Sequence, residues 1–214
     1  MTTAPIVLHD YWRSSSSYRV RIGLNLAGKT YERRPVDLLK GEQSEAANRA
    51  RNPQGLVPTL EIDGRVLTQS LAILEYLDEV HGAGLLPRTP PERARVRALA
   101  MAVAMEIQPV TNLLVVRHAM DASRGAITRE AWMAHFIAAG LAGLEAMLAD
   151  GPAGLYCHGD RVSLADVCLV PQLYNARRWG VPLDGYPRIA RIAGALEALP
   201  AFAAAHPDAL APPS

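Results

Sequence analysis

Arg13-Ser14-Ser15-Ser16-Ser17-Tyr18-Arg19 separates a short apolar strand signal, Ile6-Val7-Leu8, from a helical one in which Val20, Leu24 and Ala27 recur every three to four residues. Gly28 then supplies a helix stop. The serines therefore stand at a helix N-terminus, where unpaired N–H groups and the positive end of the helix dipole favour an anion. One serine suffices to cap a helix. Four in succession exceed that need and place hydroxyls where a thiolate could sit, a flexible polar turn being the alternative.

Outward from this stretch the pattern reads strand (6–9), helix (16–27), strand (31–36), helix (about 43–50), strands (57–62 and 65–68) and helix (70–80). Asp63-Gly64 is a hairpin turn signal. A βαβ unit followed by a ββα unit predicts one small mixed sheet with helices, an α/β domain over residues 1–80. Gly82, Gly84, Pro87, Pro90 and Pro91 mark a linker at 81–91. Residues 92–214 are rich in alanine and leucine, with helical periodicity over 92–119, 128–149, 163–178 and 187–199. An all-α domain is expected there, its first segment kinked or broken at Pro109.

Composition narrows the function. The 214 residues suit one or two domains, and 50% hydrophobic residues are enough for a real core. A formal net charge of +1, from 22 basic and 21 acidic residues, provides no field for nucleic acid or an anionic membrane, so neither is expected as a partner. Cys157 and Cys168 form no C-x-x-C pair and no zinc-ligand spacing, and the six histidines show no H-x-x-x-H pair, so no metal is expected. Unpaired cysteines suit a reduced, cytoplasmic protein, and Met1 to Pro5 lacks the features of a secretory signal. The apolar run Ala98–Met105 is too short to span a bilayer.

Two further stretches carry chemistry. Asn52-Pro53-Gln54-Gly55-Leu56-Val57-Pro58-Thr59-Leu60 enters the third strand through a glycine-containing loop. A proline at a strand start can be cis and offer the preceding backbone, here Val57, to an extended peptide. Cis is only about 5–6% of X–Pro bonds, so an ordinary trans loop is the commoner arrangement. In Gln69-Ser70, followed by Leu71, Ile73, Leu74 and Leu77, Ser70 caps a second helix start able to receive a carboxylate.

Together these stretches resemble the glutathione transferase superfamily, and Tyr11 to Ile22 is similar to the signature of its zeta class, the maleylacetoacetate isomerases. The resemblance runs nearly end to end, through Val57-Pro58-Thr59-Leu60, Gln69-Ser70-Leu71-Ala72-Ile73, Ile107-Gln108-Pro109 with Asn112-Leu113, Asp166 to Gln172, and Tyr186-Pro187. It implies a thioredoxin-like βαβαββα domain followed by a helical-bundle domain, with the active site in the cleft between them. It departs at one position: the family pattern Ser-Ser-Cys has Ser16 at the cysteine, which removes an oxidisable thiol and is expected to alter glutathione affinity.

The resemblance also implies a mechanism. Glutathione thiolate adds to a cis-enedione carboxylic acid, the former double bond rotates, and expulsion of the thiolate gives the trans isomer and regenerates the glutathione. Ser14 is the expected activator and Ser15 its helper, while Arg13 and Arg178 serve the substrate carboxylate and the developing enolate. Arg178 matches the family arginine; Arg177 falls where relatives vary and is left out. Ser14, Ser15, Ser16, Ser17, Tyr18, Arg19, Gln43, Val57, Gln69, Ser70, Gln108, Asn112, Leu113 and Leu114 are the expected glutathione-binding set. Val57 pairs with the cysteinyl backbone, and Gln69 and Ser70 take the γ-glutamyl carboxylate. A homodimer is implied in the same way. Maleylpyruvate isomerase, a general conjugating transferase and a non-catalytic interaction module remain as alternatives, the last disfavoured because the serines, Gln69-Ser70 and Gln108 are all present. Ser163-Leu164-Ala165-Asp166 reads as a capping box, making Asp166 structural.

Overall fold

Leu8 on β1 (Val7–Asp10) lies opposite Leu60 on β3 (Thr59–Ile62), and these two with Ile62 turn one face of a four-stranded sheet into a core. Val20 and Leu24 of α1 (Ser15–Leu26) and Ile73 and Leu77 of α3 (Ser70–His81) cover that face. The computed structural model describes residues 5–212. β2 (Glu32–Pro35) runs parallel to β1, β3 antiparallel to it, and β4 (Arg65–Thr68) antiparallel to β3, in the order β2-β1-β3-β4. The β3–β4 turn has Asp63 at φ 51° and Gly64 at φ 70°, the left-handed pair that a type I′ hairpin requires. Gly23 lets α1 close onto α3, because a Cβ there would collide with Leu74. The expected helix at 43–50 is a 3-10 turn, Glu42–Ser44, followed by α2 (Ala46–Arg51).

The helical part begins with α4 (Pro90–Met101), continues through a π-type stretch, Ala102–Ile107, into α5 (Gln108–Val110), and resumes as α6 (Leu113–Ala122). The segment over 92–119, expected to kink or break at Pro109, breaks just beyond it at Thr111-Asn112, and its arms meet at 42°. Pro109 cannot donate to the carbonyl of residue 105, and the widened turn lies just before it. Asn112 restarts the helix by accepting from the Leu114 N–H at 2.9 Å. α7 (Arg129–Ala149), α8 (Leu164–Arg178) and α9 (Pro187–Glu197) follow. α7 is long and apolar enough to cross a bilayer, which Ala98–Met105 is not, yet Met133, Ile137, Leu141, Leu144 and Leu148 form a buried stripe along it.

Asp166 is fully buried at the start of α8 and accepts from the Ser163 N–H at 2.8 Å, the Ser163 hydroxyl at 2.7 Å and the Cys157 N–H at 2.8 Å. The capping box read from the sequence is present and also fastens the preceding loop. Burial pushes the Asp166 carboxyl up, against the opposing pull of those bonds.

The chain divides into two units, one running up to Leu85 and taking in the residues from Pro200 onward, the other Leu86–Leu199. The tail therefore groups with the sheet, whereas the sequence reading assigned it to the helical domain. Three α1 side chains hold α10 (Pro200–Ala203) and its flank: Asn25 Nδ2 donates to the Ala201 carbonyl at 2.9 Å, the Tyr18 hydroxyl to Phe202 at 3.5 Å and Arg21 Nε to Ala205 at 3.1 Å. Arg21 also donates to Asp10 at 2.6 Å and to the Trp12 carbonyl at 2.9 Å, and Arg33 closes on Asp10 at 3.1 Å.

Candidate active site

Strand register gathers the sequence stretches singled out above. His9 faces Thr59 across the β1–β3 ladder, and Thr59 faces Thr68 across β3–β4. The residues beyond those pairs therefore leave the sheet at one edge: Tyr11 to Ser14 after β1, Val57-Pro58 before β3, and Gln69-Ser70 after β4. The Val57-Pro58 peptide is cis, the rarer of the two arrangements left open by the sequence.

At this edge α1 starts with Ser14 as its N-cap, Oγ accepting from the Ser17 N–H at 3.2 Å. That bond uses acceptor capacity of Ser14 Oγ and leaves its hydroxyl hydrogen available as a donor. Ser14 and Ser15 are half-buried, Ser16 and Ser17 buried, and Ser17 Oγ has no hydrogen-bond partner among the described residues. Arg13 Nη2 donates to the Tyr11 hydroxyl at 3.0 Å, and its guanidinium lies 4.7 Å from the centre of the Trp12 ring. Tyr18 and Arg19 are buried with their side chains committed to protein partners, Phe202 and Ser70, which gives them supporting positions rather than exposed ones.

The second helix start is more open than the first. The N-cap of α3 is Gln69, not Ser70 as read from the sequence, because the Gln69 carbonyl accepts the first helical bond. Gln69 stands at φ 67°, ψ 113°, a strained backbone for a residue with a side chain, and gives α3 no side-chain cap. The first-turn N–H groups of α3 are thus left for an acceptor from outside. Gln69 Nε2 is held by Gln54 Oε1 at 2.8 Å. Asn52 shapes the intervening loop, donating to the Leu56 carbonyl at 3.0 Å and accepting from the Gln54 N–H at 3.1 Å. The Gln43 carbonyl accepts from Asn48 at 2.9 Å and abuts Gly55, so Gln43 joins the same edge. Gln54 was not singled out from the sequence, because only the fold brings it to Gln69.

In the helical unit, Gln108, Asn112, Leu113 and Leu114 cluster at the α5–α6 break, with Leu113 44% and Leu114 61% exposed. The Asn112 side-chain oxygen is spent on its cap, leaving its amide group as the donor. Arg178, exposed at the end of α8, stacks 5.0 Å from the centre of the Trp179 ring, whereas Arg177 pairs with Glu197 at 2.6 Å. Cys157 and Cys168 are both buried, and burial raises the Cys157 thiol well above its ordinary value, so it offers no reactive thiolate.

Residues 13–80 match the glutathione S-transferase N-terminal domain and residues 126–204 the corresponding C-terminal domain. The chain belongs to the glutathione transferase family. It is 55% identical to the maleylacetoacetate isomerase of Rhizobium meliloti (strain 1021) over 208 residues, covering 96% of this chain and 98% of that protein. Among solved structures it is similar to maleylacetoacetate isomerase from Anaeromyxobacter dehalogenans 2CP-1 with bound GSH, at 52% identity and TM-score 0.85 over 95% of both chains. It is similar also to a maleyl pyruvate isomerase described as a bacterial zeta-class glutathione S-transferase, at 42% identity and TM-score 0.90 over 95% of this chain and 97% of that one. As a glutathione transferase, this chain offers what an extended, anionic thiol peptide needs. The sheet edge has two helix N-termini, one of them without a side-chain cap.

Proposed function

We propose that the chain catalyses the glutathione-dependent cis-trans isomerisation of maleylacetoacetate to fumarylacetoacetate. The observation that carries this reading is the α1 N-terminus, where Ser14 caps the helix through its acceptor side, so that its hydroxyl hydrogen is available as a donor. Bound glutathione supplies a thiolate whose reversible addition makes the cis double bond single and free to rotate.

The residues of the chain prepare for that chemistry. The α1 N-terminus and the Ser14 hydroxyl stabilise negative charge on sulfur, drawing the thiol below its ordinary pKa of about 8.5. Ser15 assists, and Ser16 and Ser17 line the same turn. Val57 holds the cysteinyl backbone by strand-like pairing. Gln69 and Ser70 hold the γ-glutamyl carboxylate at the uncapped start of α3, with Gln43 on the same edge. Arg13 and Arg178 supply donors for the substrate carboxylate and for charge developing on its carbonyl oxygen. Gln108 and Asn112 contribute polar contacts to glutathione, and Leu113 and Leu114 an apolar surface.

Maleylpyruvate is the second candidate substrate, favoured by the close fold match to the maleyl pyruvate isomerase. Parallel assays with maleylacetone, a stable surrogate for maleylacetoacetate, and with maleylpyruvate separate the two readings. The expected result is a higher kcat/KM for maleylacetone; a clear preference for maleylpyruvate reverses the assignment. We also propose a homodimer in the cytoplasm. Exposed Val66 and Val80 in the first unit and Met101 and Met105 in the second are apolar surface that a second copy would cover, and a glutathione-dependent enzyme with two unpaired cysteines suits a reducing compartment. Light scattering on the purified protein, with a mass of twice 23.1 kDa, is the expected outcome.

A further inference from the structure

Ser70 opens α3 and is 6% exposed, and its Oγ accepts a hydrogen bond from Arg19 Nη1 at 3.3 Å. Arg19 lies on α1 and is 1% exposed. A guanidinium can only donate, so Arg19 takes up acceptor capacity on the Ser70 oxygen and directs the hydroxyl hydrogen away from itself. Ser70 is the first helical residue, after the N-cap Gln69, so its hydroxyl does not cap α3 and the Arg19 bond fixes which way its hydrogen points. Ser14 is arranged similarly, with the Ser17 N–H on its acceptor side at 3.2 Å.

We infer that Arg19 is a positioning residue for glutathione: it holds the Ser70 hydroxyl as a donor toward a carboxylate bound at the start of α3. This rests on the reading above in which Ser70 takes the γ-glutamyl carboxylate. The planar fork of arginine keeps its direction at lower entropic cost than a lysine, which makes the geometry specific to this side chain. One element of the proposed site is thus oriented by a residue that has almost no surface of its own.

A double-mutant cycle tests the inference by calorimetric titration of the full chain with glutathione and with 4-aminobutyryl-Cys-Gly, which lacks the γ-glutamyl carboxylate. Arg19→Met and Ser70→Ala are each expected to weaken glutathione about ten-fold, and the double variant no more than the weaker single. The carboxylate-free peptide should bind all variants alike, and the KM for glutathione should rise while kcat at saturation changes less than about two-fold. Additive losses in the double variant, or equal losses for both peptides, overturn the positioning role. Unchanged glutathione binding by Ser70→Ala instead removes the carboxylate assignment, and the inference with it. Should Arg19→Met fail to fold, Arg19→Lys keeps the cation and loses the fork. It is expected to lose about three-fold in affinity, and that loss should vanish in a Ser70→Ala background; a loss that persists there overturns the inference.

Discussion

In the proposed mechanism Ser14 serves two ends through one oxygen: it accepts from the Ser17 N–H, and its hydrogen goes to the thiolate. Ser14→Ala should therefore destabilise the protein by about 1 kcal/mol through the lost cap. It should also lower kcat/KM for maleylacetone by roughly 10- to 100-fold, the worth of a hydrogen bond to a charged group. Thermal melts and steady-state kinetics check the two effects separately. Ser16 is the position where the chain leaves the family pattern, and both cysteines are buried. The native enzyme should thus keep its activity under iodoacetamide, while Ser16→Cys becomes sensitive to it; inactivation of the wild type at a rate matching the variant would contradict this. The serine run was legible because capping chemistry and apolar periodicity are local. The left-handed Gln69, its Gln54 partner and the burial of Arg19 were not, since each depends on which strands and helices meet.

At the scale of elements, Asp166 joins the start of α8 to the loop at Cys157. Asp166→Ala leaves three buried donors without an acceptor and should cost at least about 3 kcal/mol. Denaturant unfolding measures that loss, while the folded fraction retains its kcat. The β3–β4 turn and the end of α3 are joined through Asp63, whose carboxyl is held below its ordinary value first by the Tyr76 hydroxyl and then by His81, both at 2.8 Å. A carboxyl depressed in the folded state contributes stability that is complete above its unfolded value of about 4 and lost as the pH falls through the folded value. The Tm difference between wild type and Asp63→Asn should accordingly shrink between pH 6 and pH 3. Strands, hairpin and most helices were legible in period and turn chemistry, Asp63-Gly64 above all. The π-type stretch before Pro109 was not, because a widened turn preserves the local apolar pattern while changing how the helix winds.

For the whole molecule, the tail shows how far local reading extends. Residues beyond Pro200 continue the alanine-rich composition of the helices before them, yet they group with the sheet because Tyr18, Arg21 and Asn25 of α1 donate to their carbonyls. Nothing local to either segment announces that pairing, 176 to 184 residues apart in sequence. Truncation after Leu199 leaves those three donors unsatisfied at roughly 1–3 kcal/mol each, so the truncated chain should lose most of its cooperative unfolding transition in a thermal melt. The same α1 bears the serines at its N-terminus, which ties the integrity of the proposed thiolate site to the tail. The most direct test of the function is a mass balance with glutathione present at one-hundredth of the maleylacetone concentration. The account predicts many turnovers per glutathione, with fumarylacetone as product and the free glutathione recovered in full. Absence of turnover, or a stable glutathione adduct formed in proportion to the glutathione supplied, would contradict it.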